Sequence, residues 1–245
     1  MHTNTLIRLT DVAALLGLAV VLAIGLHQVG GLPTFGLALA LAVLVLIVVP
    51  VGVSAPVERQ PRGLGPANRI TLVRAMLVAG LAGLLPYPDR IADHGWLLLA
   101  VAIVALLLDG VDGWVARARA AATDFGARFD MELDALFMLI LCGLIWSLGK
   151  VGGWILLIGL MRYLFVGAAL ILPALRQPLP PSWRRKAICV IQIAALIFCL
   201  APVVGTTLAT AVAALTLALL TASFAIDVRW LLAAPALDTE TGGSR

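Results

Sequence analysis

Half of the ten aspartates in this 245-residue chain, Asp109, Asp112, Asp124, Asp130 and Asp134, fall between positions 109 and 134. Asp109 and Asp112 are three apart, and Asp130 and Asp134 are four apart. Both spacings put two side chains on one face of a helix. Four carboxylates gathered in a low dielectric repel, so they take up protons or need a positive counter-charge. Divalent cations supply that charge, and hard carboxylate oxygens suit Mg²⁺ or Mn²⁺ rather than softer metals. Two such ions roughly 3.5–4 Å apart form a clamp for phosphoryl chemistry.

The neighbouring residues fit the same chemistry. Gly110, Gly113 and Ala116 thin the helix surface, so that a diphosphate can come near the backbone. Arg117 lies on the side of Asp109 and Asp112, and a guanidinium matches phosphate oxygens. Gly126 opens a close approach before the second pair. Asp124 falls outside the spacing pattern and reads as a helix N-terminal residue. Capping does not account for Asp109 and Asp112, which lie toward a helix C-terminus, where the dipole disfavours anions. Carboxylates inside a membrane also mark proton or sodium pathways, so an ion-coupled transporter is the alternative of another class. A transporter has no need of Gly113, Ala116 and Arg117 at those offsets.

The elements that must position these residues are membrane helices. The chain is 62% hydrophobic and 12% charged, with a mean hydropathy of +1.08. A soluble domain carries about 25% charged residues. About 20 apolar residues cross a bilayer core as helix, and the stretches near 12–29, 35–53, 70–85, 96–108, 131–148, 154–172, 187–203 and 208–232 are candidates. The 96–108 stretch is short because aspartates enter at its end. Trp96, Trp146, Trp154, Trp183 and Trp230 fall at stretch ends, as an interfacial belt requires. With the N-terminus in the cytoplasm, fourteen Lys and Arg side chains face inward, and only Arg90 and Lys150 face outward. That imbalance favours both termini and the aspartates on the cytoplasmic side. The net charge of +4 is thus spread between apolar runs, with no nucleic-acid patch. Arg8 before the 12–29 stretch has the outline of a signal peptide, but Asp11 interrupts it, and the sequence favours a retained helix. Cys142, Cys189 and Cys199 lie in apolar runs without a CxxC pair, and read as small buried hydrophobes. His2, His27 and His94 are scattered, with no metal-ligand pairing.

Asp109, Asp112, Gly113, Ala116, Arg117, Gly126, Asp130 and Asp134 spell DxxDGxxARx8GxxxDxxxD. This resembles the signature of the CDP-alcohol phosphatidyltransferases at all eight positions. The resemblance implies an all-α, polytopic membrane bundle. Its six-helix core would occupy 58–234; the apolar stretches add two transmembrane helices in 1–57, outside the resemblance (eight in total), and the composition adds a polar tail at 235–245. The resemblance further implies that Asp109, Asp112 and Asp130 are metal ligands and that Asp134 is ligand, general base or both. Asp112, Gly113, Ala116, Arg117 and Gly126 would form the site for CDP-diacylglycerol. An acceptor hydroxyl would attack the β-phosphorus and expel CMP, with two divalent cations gripping the diphosphate. A homodimer in the bacterial inner membrane is also implied, and Ala79 and Gly83, four apart, are small enough to let helices pack closely. The stretch from Pro66 to Arg74 looks like the PNxxTxxR-type helix start of phosphatidylglycerophosphate synthases and their relatives, with Ala67 interrupting Pro and Asn. Asn68 and Thr71 would contact the CDP-lipid or cap the helix. Arg74 reads as a snorkelling cation.

The acceptor is less defined. Arg162 lies deep in its apolar stretch and needs a partner. That partner is either a phosphate on the acceptor or one of the four aspartates. Arg184, Arg185 and Lys186, with Gln192 two turns on, read as an anionic-substrate pocket or as a positive-inside signal. An anionic acceptor such as glycerol 3-phosphate leads, with inositol phosphate, serine and choline as alternatives.

Overall fold

The computed structural model describes residue 17 and residues 33–54, 65–118, 124–177, 179–180 and 182–233. Eight α-helices lie among them: α1 (Thr34–Ser54), α2 (Gly65–Ala82), α3 (Pro88–Asp93), α4 (Gly95–Ala118), α5 (Asp124–Ser147), α6 (Leu156–Ile171), α7 (Trp183–Leu200) and α8 (Thr206–Ala233). Two 3₁₀ turns, Gly153–Ile155 and Pro173–Arg176, flank α6. The expected 12–29 span and the 235–245 tail lie outside the described residues.

Two departures from the sequence reading bear on the site. The stretch taken to end at 108 continues as helix α4 to Ala118, so Asp109 and Asp112 sit within a continuous helix. The apolar pattern stops before the helix does, because the backbone ladder continues where side chains turn polar. The segment 86–95, read as punctuation, holds the short helix α3, which starts on Pro88. Proline suits a first helical position, since its missing N–H would find no partner there anyway.

Most of these helices are apolar around much of their circumference, so they must meet lipid or one another on every side. The segments Gly153–Ile171 and Thr206–Ala233 are long and apolar enough to cross a bilayer, and Thr34–Ile47, Ile70–Ala82 and Gly95–Val111 are shorter apolar helices. Their outer faces are apolar as well: Leu170 is 72% exposed, Ile171 80% and Leu215 63%. Such faces are unfavourable in water and natural in hydrocarbon.

The core lies where α2, α4, α5 and α7 converge. Ala75, Ala79 and Ala82 of α2 and Ala102 and Ala105 of α4 are buried, and these small side chains let α2 and α4 pack extensively. Phe137, Leu141, Leu144 and Ile145 of α5 and Ile193 and Leu196 of α7 fill the space beside them. Gly159 of α6 lies against the backbone of Leu139 on α5, where any side chain would collide. The Ala79 and Gly83 pair, read as a surface for a second copy, is used within the chain. Ala79 is buried, and a Cβ on Gly83 would come within 2.6 Å of the Gly36 carbonyl oxygen of α1.

The end of α5 opposite the aspartates is fixed by backbone geometry. Gly149 has φ +67, the left-handed conformation that glycine adopts without steric cost. Its N–H donates to the Trp146 carbonyl and that of Lys150 to the Ile145 carbonyl, at 2.8 and 3.2 Å. Together they form a Schellman cap. The cap aims Lys150 at the last carbonyls of α7. Its Nζ donates to the oxygens of Cys199, Leu200 and Ala201 at 3.2, 3.4 and 2.6 Å. A cation there also complements the negative end of the helix dipole.

Candidate active site

Asp109 comes from α4, and Asp130 and Asp134 from α5. The four-residue spacing on α5 turns both of its carboxylates to one side. Each of the three residues offers a carboxylate oxygen, and these oxygens lie within 4.8 Å of one another. Among the described residues, the two helices do not pack directly on each other. Among the described residues, α2 packs against both α4 and α5 instead. The carboxylates therefore meet across a gap that α2 occupies.

Arg74 of α2 fills that gap. Its side chain is 0% exposed, which rules out the snorkelling role expected for it. One terminal nitrogen donates to Asp109 Oδ1 at 2.6 Å and to Asp130 Oδ1 at 2.7 Å. The other donates to Asp134 Oδ1. One planar fork thus serves three carboxylates, a geometry that a lysine ammonium does not reproduce. Thr71, one turn earlier on α2, is buried too. From α7, the Cys189 thiol donates to Asp134 Oδ2 at 3.7 Å. Both oxygens of Asp134 are therefore engaged, one by a guanidinium and one by a thiol. Cys189 is thus more than the inert filler expected of it, whereas Cys142 and Cys199 are buried as expected.

The other site candidates divide into three groups. Asp112, Ala116 and Arg117 lie on α4 and Asn68 on α2, but their side chains fall outside the described residues. Gly113 and Gly126 are half-buried on α4 and α5. Arg162 is paired with Glu132 through both its Nε, at 3.2 Å, and a terminal nitrogen. Pairing of Arg162 with one of the aspartates is thereby overturned. Glu132 lies two residues from both Asp130 and Asp134, and residues two apart on a helix do not share a face.

Farther along, Arg184 donates to the Ser223 carbonyl and hydroxyl and to Asp227 Oδ1. Arg185 reaches the same Asp227 oxygen at 3.4 Å and donates to the Pro180 carbonyl. Lys186 is exposed, with its Nζ 5.7 Å from the centroid of the Trp183 ring. Gln192 donates to Thr216 at 3.1 Å and so ties α7 to α8.

Arg74, Cys189, Glu132 and Asp227 are the residues that sequence reasoning missed. A signal existed for three of them, since ionisable groups within apolar stretches face the bundle and pair with one another. For Cys189 there was none.

The carboxylate set fits a divalent cation. All three donors are hard oxygen ligands, and the fully buried guanidinium at their centre shows how strongly the cluster demands positive charge. Aspartates thus converge from two helices of an apolar bundle, against a cationic third helix. The model of the CDP-alcohol phosphatidyltransferase family matches residues 65–223, and the chain belongs to that family. It is therefore a transferase of substituted phosphate groups, from a family that makes phospholipids by phosphatidyl transfer. No curated protein and no solved structure is significantly similar to it.

Proposed function

We propose that the protein transfers the phosphatidyl group of CDP-diacylglycerol to a small phosphorylated alcohol, with glycerol 3-phosphate as the leading acceptor, and releases CMP. The observation that carries this is the convergence of Asp109, Asp130 and Asp134 within 4.8 Å in a chain of this family.

Two divalent cations, Mg²⁺ or Mn²⁺, held by Asp109, Asp112, Asp130 and Asp134, would neutralise the diphosphate and the departing CMP. The chain's own residues do the rest. Asn68, Thr71, Asp112, Gly113, Ala116, Arg117 and Gly126 hold the CDP moiety, with the two glycines admitting the diphosphate close to the backbone. Asp134 accepts the proton of the acceptor hydroxyl. The hydroxyl oxygen bonds to the β-phosphorus, the bond from that phosphorus to the bridging oxygen breaks, and CMP leaves with the electron pair. Cys189 and Arg74 fix the orientation of Asp134 through its two oxygens.

The acceptor choice rests on α7. Arg185 and Lys186 precede Cys189 by four and three residues, so they share its face of the helix within about one turn. On this reading the two cations would recognise a phosphate on the acceptor, with Arg185 giving up part of its contact with Asp227. Arg162 is held by Glu132, so any contact with the acceptor would require it to exchange partners. We further propose a six-helix unit at 58–234, preceded by two helices in 1–57. The unit would sit in a bacterial inner membrane as a homodimer, with both termini and the aspartates toward the cytoplasm. Arg74 drops out of the charge count that sets this orientation, because it is buried; the remaining imbalance keeps its sign.

The test is CMP release by purified protein with CDP-diacylglycerol, Mg²⁺ or Mn²⁺, and a panel of acceptors. The panel would contain glycerol 3-phosphate, inositol phosphate, serine, choline and phosphatidylglycerol. Release that requires both metal and glycerol 3-phosphate is the expected result. Release with serine or choline alone, neither of which carries a phosphate, would remove Arg185 and Lys186 from the site. No release with any acceptor would leave the ion-coupled reading of the aspartates.

A further inference from the structure

The position of Arg74 has a consequence for metal binding. Its guanidinium is bonded to one oxygen of each of three carboxylates, and it is fully buried. Those carboxylates belong to the residues whose oxygens cluster closely enough to hold a cation. They come from α4 and α5, which among the described residues do not pack against each other, and α2 lies against both. Helix α7 also lies against both α4 and α5, so the backbone keeps the carboxylates near one another, and the charge from α2 offsets their mutual repulsion while no metal is bound.

We propose that Arg74 is the internal counter-cation of the metal site. It is a positioning residue that gathers Asp109, Asp130 and Asp134 and competes with divalent cations for their oxygens. This rests on reading the aspartates as metal ligands, as above. A divalent ion entering the cluster meets oxygens already bonded to a cation, and the guanidinium repels it at short range. The protein therefore binds metal less tightly than its carboxylates alone would allow. In exchange, the cluster is neutralised and assembled before metal arrives. Five donors in a rigid plane suit the guanidinium to three acceptors at once, whereas an ammonium offers a point charge on a flexible stem.

The experiment is Mn²⁺ binding to the full-length, detergent-purified protein, read from the EPR signal of free Mn²⁺, with thermal unfolding measured alongside. Neither readout depends on turnover. Arg74→Gln is expected to bind Mn²⁺ about tenfold more tightly than the parent protein. Its metal-free form is expected to unfold at a lower temperature, and saturating Mn²⁺ is expected to raise its midpoint more than the parent's. Should Arg74→Gln fail to fold, Arg74→Lys carries the test. An ammonium holds the three carboxylates less completely, so Mn²⁺ binding tightens by about two- to fivefold. Equal or weaker Mn²⁺ binding by the folded variant overturns the inference and leaves the proposed function standing. Absence of Mn²⁺ binding by the parent protein overturns both.

Discussion

Asp134 is the most fully engaged residue of the cluster, with the Arg74 guanidinium on one carboxylate oxygen and the Cys189 thiol on the other. Asp134→Asn keeps the shape and removes the base. CMP release is expected to fall about 10²–10⁴-fold, while the helical circular dichroism in detergent stays unchanged. A variant retaining most of the activity would eliminate Asp134 as the proton acceptor. Cys189→Ala removes only a weak donor, and kcat is expected to fall by less than about tenfold. A larger loss in a folded Cys189→Ala protein would mean that the thiol does more than orient Asp134. The aspartates were legible from the sequence because their spacing is a local property of one helix. For Arg74 the sequence signalled only that a cation in an apolar helix needs partners, not which partners those are. Only the arrival of α4 and α5 around it turns it into the centre of the site.

At the level of elements, the bundle is tied together at both ends by cations that reach into neighbouring helices. Lys150 holds the last carbonyls of α7 at one end, and Arg184 holds Ser223 and Asp227 of α8 at the other. Lys150→Met keeps the length of the side chain and deletes its donors. It is expected to destabilise the protein by about 1–3 kcal/mol, seen as a lower midpoint of thermal unfolding in detergent. An unchanged midpoint would show that water replaces the lysine without cost. Gly159→Leu is expected to be harsher, because the new side chain would run into the backbone of α5 at Leu139. Its measure is the yield of monodisperse protein, which should fall sharply. Apolar runs and proline-rich breaks located most of these helices in the sequence. The extension of α4 beyond its apolar run and the short α3 escaped that pattern. Hydropathy tracks side chains, while helix ends depend on the backbone and its caps.

For the whole molecule, α1 complicates the proposed division at residue 57. It packs on α2, and Leu44 and Ile47 belong to the same buried cluster as the core of α2 and α5. Deleting residues 1–57 is expected to leave a chain that still inserts and still binds Mn²⁺. Its unfolding midpoint should be lower, by about 2–4 °C for each kcal/mol of packing lost. Loss of membrane insertion would show that the N-terminal part is integral to the fold. A single apolar composition, readable at a glance, predicted a membrane bundle. It held no information on which helix lies between which, because lipid-facing and helix-facing apolar surfaces have the same chemistry.

The length of α8 reaches beyond the protein to the lipid around it. Its 28 residues extend about 42 Å at ~1.5 Å per residue, while the hydrocarbon of an average bilayer is about 30 Å thick. Helix α8 must therefore lean or protrude, and the choice depends on acyl-chain length. Asp227, near its far end, is gripped by Arg184 and Arg185 of the helix that also carries Cys189. Hydrophobic mismatch at α8 would thus be passed to the neighbourhood of Asp134. In vesicles of graded chain length, turnover should pass through an optimum thickness, making the enzyme a gauge of the membrane it helps to build.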